Sequence, residues 1–365
     1  MLDFDEQIEA VKKEIRETPY HKGTEHHIGM LRARLARLKD KMINSEQKAG
    51  GGGGGSGYAV KKQGDATIVL VGPPSVGKST LINKLTNANS KIAPYAFTTL
   101  TVIPGMMNYR GAKIQILDVP GLIEGAEEGK GKGREVLSVI RGADLIIIIT
   151  EPDKVDAFDS ILAALERNGI RVNKKSPNVQ IEKKLAGGMN IFSNLKQEFD
   201  KETIKKIAGE MGVKNADITI KEKISLDNLI DSFSKNRVYI PALFAINKAD
   251  TLDKNKNYRL ESPYDIKPIF LSADKDENVD LLLENIWKTL SFITVYLVKK
   301  DEAPTNNSPI IVKSGTSLKQ ISEMIGEKFS ENTTCAVIWG NGSKFPAQEV
   351  SLEALAKDGM QVKFI

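Results

Sequence analysis

The sequence predicts an α/β protein built around a mostly parallel sheet, with a helical region before it, an α+β insertion within it and a small β-grasp unit after it. Three observations carry that reading. Short apolar, β-branched runs recur: "ATIVLV" (66–71), "KIQILDV" (113–119), "DLIIIIT" (144–150), "VYIPALFAI" (238–246) and "PIFLSA" (268–273), as expected of strands buried on both faces. Helix-like stretches separate several of them. Polar signatures stand at the ends of these runs, which is the edge where parallel sheets bind ligands.

Residues 1–48 read as a basic helical region. In "MLRARLARLKDKM" Leu31, Leu35, Leu38 and Met42 share one helical stripe, while Arg32, Arg34, Arg37, Lys39 and Lys41 spread over the other faces. The basic side suits solvent, or RNA phosphates. His21, His26 and His27 lie nearby without metal-ligand spacing. Residues 49–64 carry Gly50–Gly55, with no strand leading in and no Lys-Ser ending, so they read as a flexible connector.

Next comes a second glycine-rich piece. "GPPSVGKS" (Gly72, Pro73, Pro74, Ser75, Val76, Gly77, Lys78, Ser79) follows a strand and opens a helix that includes Thr80, the context a phosphate loop requires. Its backbone N–H groups can form a nest around a β-phosphate. Lys78 can reach the β- and γ-phosphates, and the Ser79 hydroxyl can bind Mg²⁺.

"YAFTTLTVIPG" (95–105) contains Phe97, Thr98 and Thr99, where a threonine can close over Mg²⁺ beside a γ-phosphate; Thr99 is favoured. "DVPG" (Asp118, Val119, Pro120, Gly121) places Asp118 in the Mg²⁺ shell and the Gly121 N–H against a γ-phosphate. "EGAEEGKGKGRE" (124–135) follows directly, and its four glycines fit a mobile switch segment.

The lysine-rich stretch 169–237 breaks the strand–helix rhythm and reads as an inserted subdomain. After it, "NKAD" (Asn247, Lys248, Ala249, Asp250) ends a strand. The Asp250 carboxylate can accept from N1–H and the exocyclic amine of guanine, donors that adenine lacks. Lys248 can lie along the base, and "SAD" (Ser272, Ala273, Asp274) can offer the Ala273 N–H to guanine O6. Four such fragments in this order specify a guanine nucleotide with Mg²⁺. From Ile293, strand, strand plus helix, strand and strand form the β-grasp unit, 293–365.

Composition bounds the partners. The chain has 365 residues, a net charge of +5 and one cysteine, Cys335, which rules out an internal disulfide and fits a reducing cytoplasm. No run is long and apolar enough to cross a membrane. The acidic start "MLDFDEQIEA" lacks a secretory apolar core, so a cytoplasmic protein is expected.

"DVPGLIEGAEEGKGKGREVLSVIRGAD" and "YAFTTLTVIPG" resemble the Obg-related translation-factor GTPases. The helix, glycine run, insertion and tail resemble the developmentally regulated GTP-binding (DRG) branch in an archaeal-looking form. The resemblance covers essentially the whole chain. It implies a P-loop GTPase domain over 65–292, an insertion similar to domain 2 of ribosomal protein S5 and a C-terminal TGS domain linked to RNA or ribosome contacts. It implies GTP and GDP as ligands, with Lys78, Thr99 and Gly121 nearest the chemistry and Ser79, Thr99 and Asp118 around Mg²⁺. Pro73 departs from the larger apolar residue usual in the family.

Ras-type enzymes place a water-orienting glutamine where this chain has Leu122, so slow turnover is expected. Relatives with an apolar residue there often use K⁺, in several cases through a phosphate-loop asparagine; Ser75 stands at that place. The function expected is a slow GTPase switch in translation, a monomer acting on the ribosome or RNA. The alternative is a guanine-nucleotide-gated scaffold for a regulatory protein partner.

Overall fold

The computed structural model describes residues 4–19, 21–49, 64–86, 103–119, 132–234, 236–252, 266–299 and 302–365. The chain begins with two helices, α1 (Phe4–Glu17) and α2 (Glu25–Ala49). Ile8 and Val11 of α1 bury against Leu31 and Leu38 of α2, so the leucine stripe read in the sequence is this helix pair's core. The nucleotide-binding elements follow: β1 (Ala66–Val71), α3 (Lys78–Thr86), β2 (Ile103–Tyr109), β3 (Ala112–Asp118), a helix Lys132–Arg141, β4 (Leu145–Thr150) and a helix Ala157–Arg167. The insertion contributes β5 (Ile170–Val172), β6 (Val179–Lys183), β7 (Met189–Ser193), a helix Lys201–Glu210, β8 (Ala216–Ile220), a helix Leu226–Phe233 and β9 (Val238–Ile240). The chain then adds β10 (Ala242–Ile246), β11 (Pro268–Phe270), a helix Val279–Thr289, and the C-terminal strands β12 (Phe292–Leu297), β13 (Pro309–Lys313), β14 (Ala336–Trp339), β15 (Gln348–Val350) and β16 (Met360–Phe364).

The central sheet has six strands in the order β11-β10-β4-β1-β3-β2. All its pairs are parallel except β2 with β3. Every residue of β1 and β4 is buried, as their unbroken apolar sequences require. The run "VYIPALFAI" does not form one strand. Pro241, which has no N–H for a ladder, separates β9, which pairs with β5, from β10, which joins the central sheet. The run "PIFLSA" keeps strand geometry only as far as Phe270.

The C-terminal residues form a five-stranded mixed sheet, β13-β12-β16-β14-β15, with helix Leu318–Ile325 packed on it through Leu318 and Ile321. That helix starts with a full capping box between Ser317 and Gln320.

The chain divides into two compact units: residues 58–168 with 240–365, and residues 1–57 with 169–239. The insertion thus clusters with the N-terminal helices rather than with the domain whose sequence it interrupts. Ala33 and Ala36 of α2 enter the same core as Ile204, Ile207, Leu229 and Ile230. The Arg37 guanidinium donates to the Glu210 carbonyl at 2.8 Å, and Arg32 meets Asp227 at 3.3 Å. Part of the basic face of α2 is therefore occupied by the insertion's helices rather than by solvent. An ionic network fastens this unit: Asp231 takes Arg171 at 2.6 Å and Arg237 at 2.8 Å, and Arg237 also reaches Asp40 at 2.8 Å. Among the described residues, no helix is long and apolar enough to cross a membrane.

Candidate functional site

The site lies where β1, β3, β4, β10 and β11 end. The phosphate loop leaves β1 at Gly72, where a Cβ would stand 2.1 Å from the Ile149 carbonyl oxygen of neighbouring β4. Only glycine lets the two backbones run that close. Gly77 has φ +88°, and a Cβ there would meet Asn247 Nδ2 at 2.3 Å. Ser75 also sits in the left-handed region, at φ 65°. These turns aim the loop into the first turn of α3, the helix end that favours anions. Lys78 Nζ donates to the Gly72 and Pro73 carbonyls at 3.0 and 2.8 Å, so the ammonium is held at the mouth of the nest it closes.

Asp118, the last residue of β3, is buried. Its Oδ2 accepts from the Ser79 hydroxyl at 3.1 Å. Its Oδ1 is buried and has no hydrogen-bond partner among the described residues. Burial raises this carboxyl above the usual aspartate range, with Lys78 and Ser79 pulling it back. A buried, half-satisfied carboxylate beside a hydroxyl is a hard-oxygen donor set of the kind Mg²⁺ takes together with phosphate oxygens. The residues present therefore fit that ion.

The end of β10 is tied to the phosphate loop by side chains of the "NKAD" turn. Asn247 is buried, donates to the Val76 carbonyl at 2.8 Å and accepts from the Ala273 N–H at 3.0 Å. It joins three loops through one amide. The Ala273 N–H, which the sequence reading aims at guanine O6, is therefore turned onto Asn247 Oδ1, because the buried amide oxygen needs a donor. Lys248, at φ 58°, donates to the Ser75 carbonyl at 2.9 Å and to Glu151 Oε2 at 2.5 Å.

Asp250 sits in the short turn Ala249–Thr251, exposed, and lines a cleft of about 280 Å³ together with Gly77, Thr80, Asn247, Lys248, Thr251, Ser272 and Asp274. Pro74 is exposed at the loop's rim, and Val76 and Val119 are buried beneath it. Phe97, Thr98, Thr99, Pro120, Gly121 and Leu122 lie outside the described residues, as do most of the connector and of the glycine-rich segment 124–135; the helix Lys132–Arg141 takes up the latter's end.

Glu151 is the residue that motif reading passed over. It follows β4 directly, is 14% exposed, and holds Lys154 as well as Lys248, which together keep its carboxyl below the usual glutamate range. The signal was present: a charged residue ending an apolar strand on the ligand edge. Thr251, which also lines the cleft, carried no comparable signal.

Comparison with known proteins agrees with this geometry. Residues 67–183 match the family described as "50S ribosome-binding GTPase", and residues 186–292 match the "C-terminal region of MMR_HSR1 domain". An uncharacterized GTP-binding protein of Methanocaldococcus jannaschii is 43% identical over 98% of this chain and 92% of its own length. The developmentally-regulated GTP-binding protein 1 of Xenopus laevis is 40% identical over 96% of each chain. Among solved structures, the YchF GTPase of Schizosaccharomyces pombe covers 84% of this chain and 99% of its own, with 13% identity and a TM-score of 0.46. With relatives matched over nearly their full length, the chain belongs to the developmentally-regulated GTP-binding proteins, a branch of the P-loop GTPases.

Proposed function

We propose that the protein binds GTP and GDP with Mg²⁺ along this edge, hydrolyses GTP slowly, and uses the difference between the two states to govern association with the ribosome or its RNA. The observation that carries the nucleotide part is the set of contacts that converge on the phosphate loop: Asp118 with Ser79, Asn247 with the Val76 carbonyl and Lys248 with the Ser75 carbonyl. In this reading Lys78 leaves the Gly72 and Pro73 carbonyls for the β- and γ-phosphates. Asp250 selects guanine, and Ala273 offers its N–H to O6 once Asn247 shares it. Ser79 and Asp118 would hold Mg²⁺, with Thr99 completing the shell; when bound, the ion supplies charge neutralisation at the phosphates. The Gly121 N–H meets the γ-phosphate.

Leu122 cannot orient water, so turnover is slow unless a partner or K⁺ assists. Equal phosphate release in KCl and NaCl would remove K⁺ from the scheme.

The ribosome part is supported by the description of the matching family and by the basic surplus of the chain. Co-sedimentation of the full chain with ribosomes in GTP, in GDP and without nucleotide tests it. Retention that depends on GTP is expected. Ribosome binding that ignores the nucleotide would reject the switch, and its absence in all three would favour a nucleotide-gated scaffold for a protein partner in the cytoplasm.

A further inference from the structure

The basic surplus of this chain has an address. Residues 169–239 hold 14 Lys or Arg and 9 Asp or Glu, so this segment alone accounts for the whole +5; elsewhere acidic and basic residues number 38 each. Within the segment, β6 and β7 both pair with β8, giving the order β6-β8-β7. One face of this sheet is core: Ile181, Ile191, Ala216, Ile218 and Ile220 pack with the helices of the same unit. The alternate residues, Gln180 and Glu182 on β6, Asn190 and Phe192 on β7, Asp217 and Thr219 on β8, form the other face. That face is uncovered at its edges, where Gln180, Glu182, Asn190 and Phe192 are all exposed.

Phe192 is the feature that a solvated sheet face does not need. Its side chain is 53% exposed, beside Thr219 in the strand register, with Gln180 one strand further. Lys221 comes next after Thr219 on the same face, and its N–H continues the ladder to the Asn178 carbonyl at 3.1 Å. Lys175 lies in the segment entering β6 and Lys196 in the segment leaving β7, which the strand directions bring to the same end of the sheet as Lys221. Among the described residues none of these three lysines has an ion-pair partner. Three acids of the region are engaged, Asp217 with Lys184 and Asn190, Glu198 with Lys223, and Glu222 with the Asn178 N–H, while Glu182 stands exposed on the β6 edge of the face.

We infer that this open face binds single-stranded RNA, with an unpaired base stacked on Phe192 and the flanking phosphates met by Lys221, Lys196 and Lys175. An exposed ring on a sheet face offers a base its whole π-surface, and uncompensated lysines beside it supply the attraction to the backbone. Gln180 and Asn190 add amide groups that can hydrogen-bond base edges. A folded acidic protein would be drawn by the same lysines but has no use for one isolated ring among polar neighbours. The choice of RNA rests on the ribosome-side reading above; the surface itself is separate from the nucleotide site.

The test is fluorescence anisotropy of a labelled twelve-nucleotide oligouridylate with the full chain, beside a duplex RNA of the same length and polyglutamate as competitor. Phe192→Ala is expected to weaken the single strand about tenfold, and Lys196→Glu with Lys221→Glu to weaken it further and flatten its salt dependence. The duplex should bind more weakly and ignore Phe192→Ala, since its bases are already stacked. Retained GDP binding by each variant shows that the chain is folded. An unchanged affinity in Phe192→Ala, a duplex that binds as well as the single strand, or displacement by polyglutamate at equal charge would overturn the proposal, whatever the outcome of ribosome co-sedimentation.

Discussion

The nucleotide edge and the insertion treat charge in opposite ways. At the nucleotide edge the lysines and the Asn247 amide are already committed within the fold. Lys78 rests on two carbonyls, Lys248 on Glu151 and Ser75, and Asn247 on Val76 and Ala273. In the insertion's sheet three lysines, Lys175, Lys196 and Lys221, have no ion pair among the described residues and stand at the end of a face that carries one exposed ring. Pre-placed short-range contacts give selectivity toward one small ligand, because each group left unpaired by a wrong ligand costs its desolvation. Uncompensated charge gives reach and tolerance, at the mercy of salt. On the proposed reading, the same chain carries one site that discriminates and one surface that attracts.

The largest expected effect breaks the first half of the contrast. Lys78→Ala removes a charge-assisted contact to two phosphates and should weaken GTP at least about a hundredfold, an effect of ~3 kcal/mol. Titration by calorimetry reads it, with RNA binding as the internal control that must stay unchanged.

The second concerns salt. If Lys175, Lys196 and Lys221 meet three phosphates, raising salt from about 50 to about 200 mM should weaken oligouridylate by about eighteenfold. GDP affinity measured in the same buffers should move much less. A salt response as steep for GDP would erase the distinction between the two sites.

The third sharpens the account of the base turn. Glu151→Gln keeps the shape of the side chain but removes the charge that holds Lys248. GDP dissociation, followed with a fluorescent analogue, should accelerate about tenfold, a charged hydrogen bond being worth ~1.5–3 kcal/mol and the partly exposed Lys248 putting it at the low end. A variant with wild-type dissociation would reduce Glu151 to a partner of Lys154.

Much of the nucleotide half was legible because its physics is local. A glycine is needed where two backbones nearly touch, as at Gly72, and where a left-handed turn runs against a side chain, as at Gly77 beside Asn247. Strands buried on both faces announce themselves by unbroken apolar runs, as in β1 and β4. What stayed hidden depends on distant parts of the chain. Glu151 acquires meaning only when Lys248, 97 positions later, is folded beside it. That the insertion packs with α2 depends on Ala33, Ala36 and the ions at Asp40, Asp227 and Asp231, none of which forms a motif. The split at Pro241 was visible as a proline inside an apolar run, but the run's length concealed it. Phe192 carries no signal of its own in the sequence; only the strand register shows which face it shares with Thr219.

The central claim is that the edge shaped by Asn247, Lys248 and Asp250 reads guanine. Xanthine carries a carbonyl where guanine has its exocyclic amine, so Asp250→Asn exchanges an acceptor for a side chain that can donate there. The decisive measurement is competitive binding of GDP, XDP and ADP to the wild-type chain and to Asp250→Asn. The account predicts that the wild type takes GDP alone, and that the variant loses GDP at least about a hundredfold while gaining XDP, with ADP bound by neither. A variant that keeps wild-type GDP affinity, or a wild type that binds ADP as well as GDP, would contradict it.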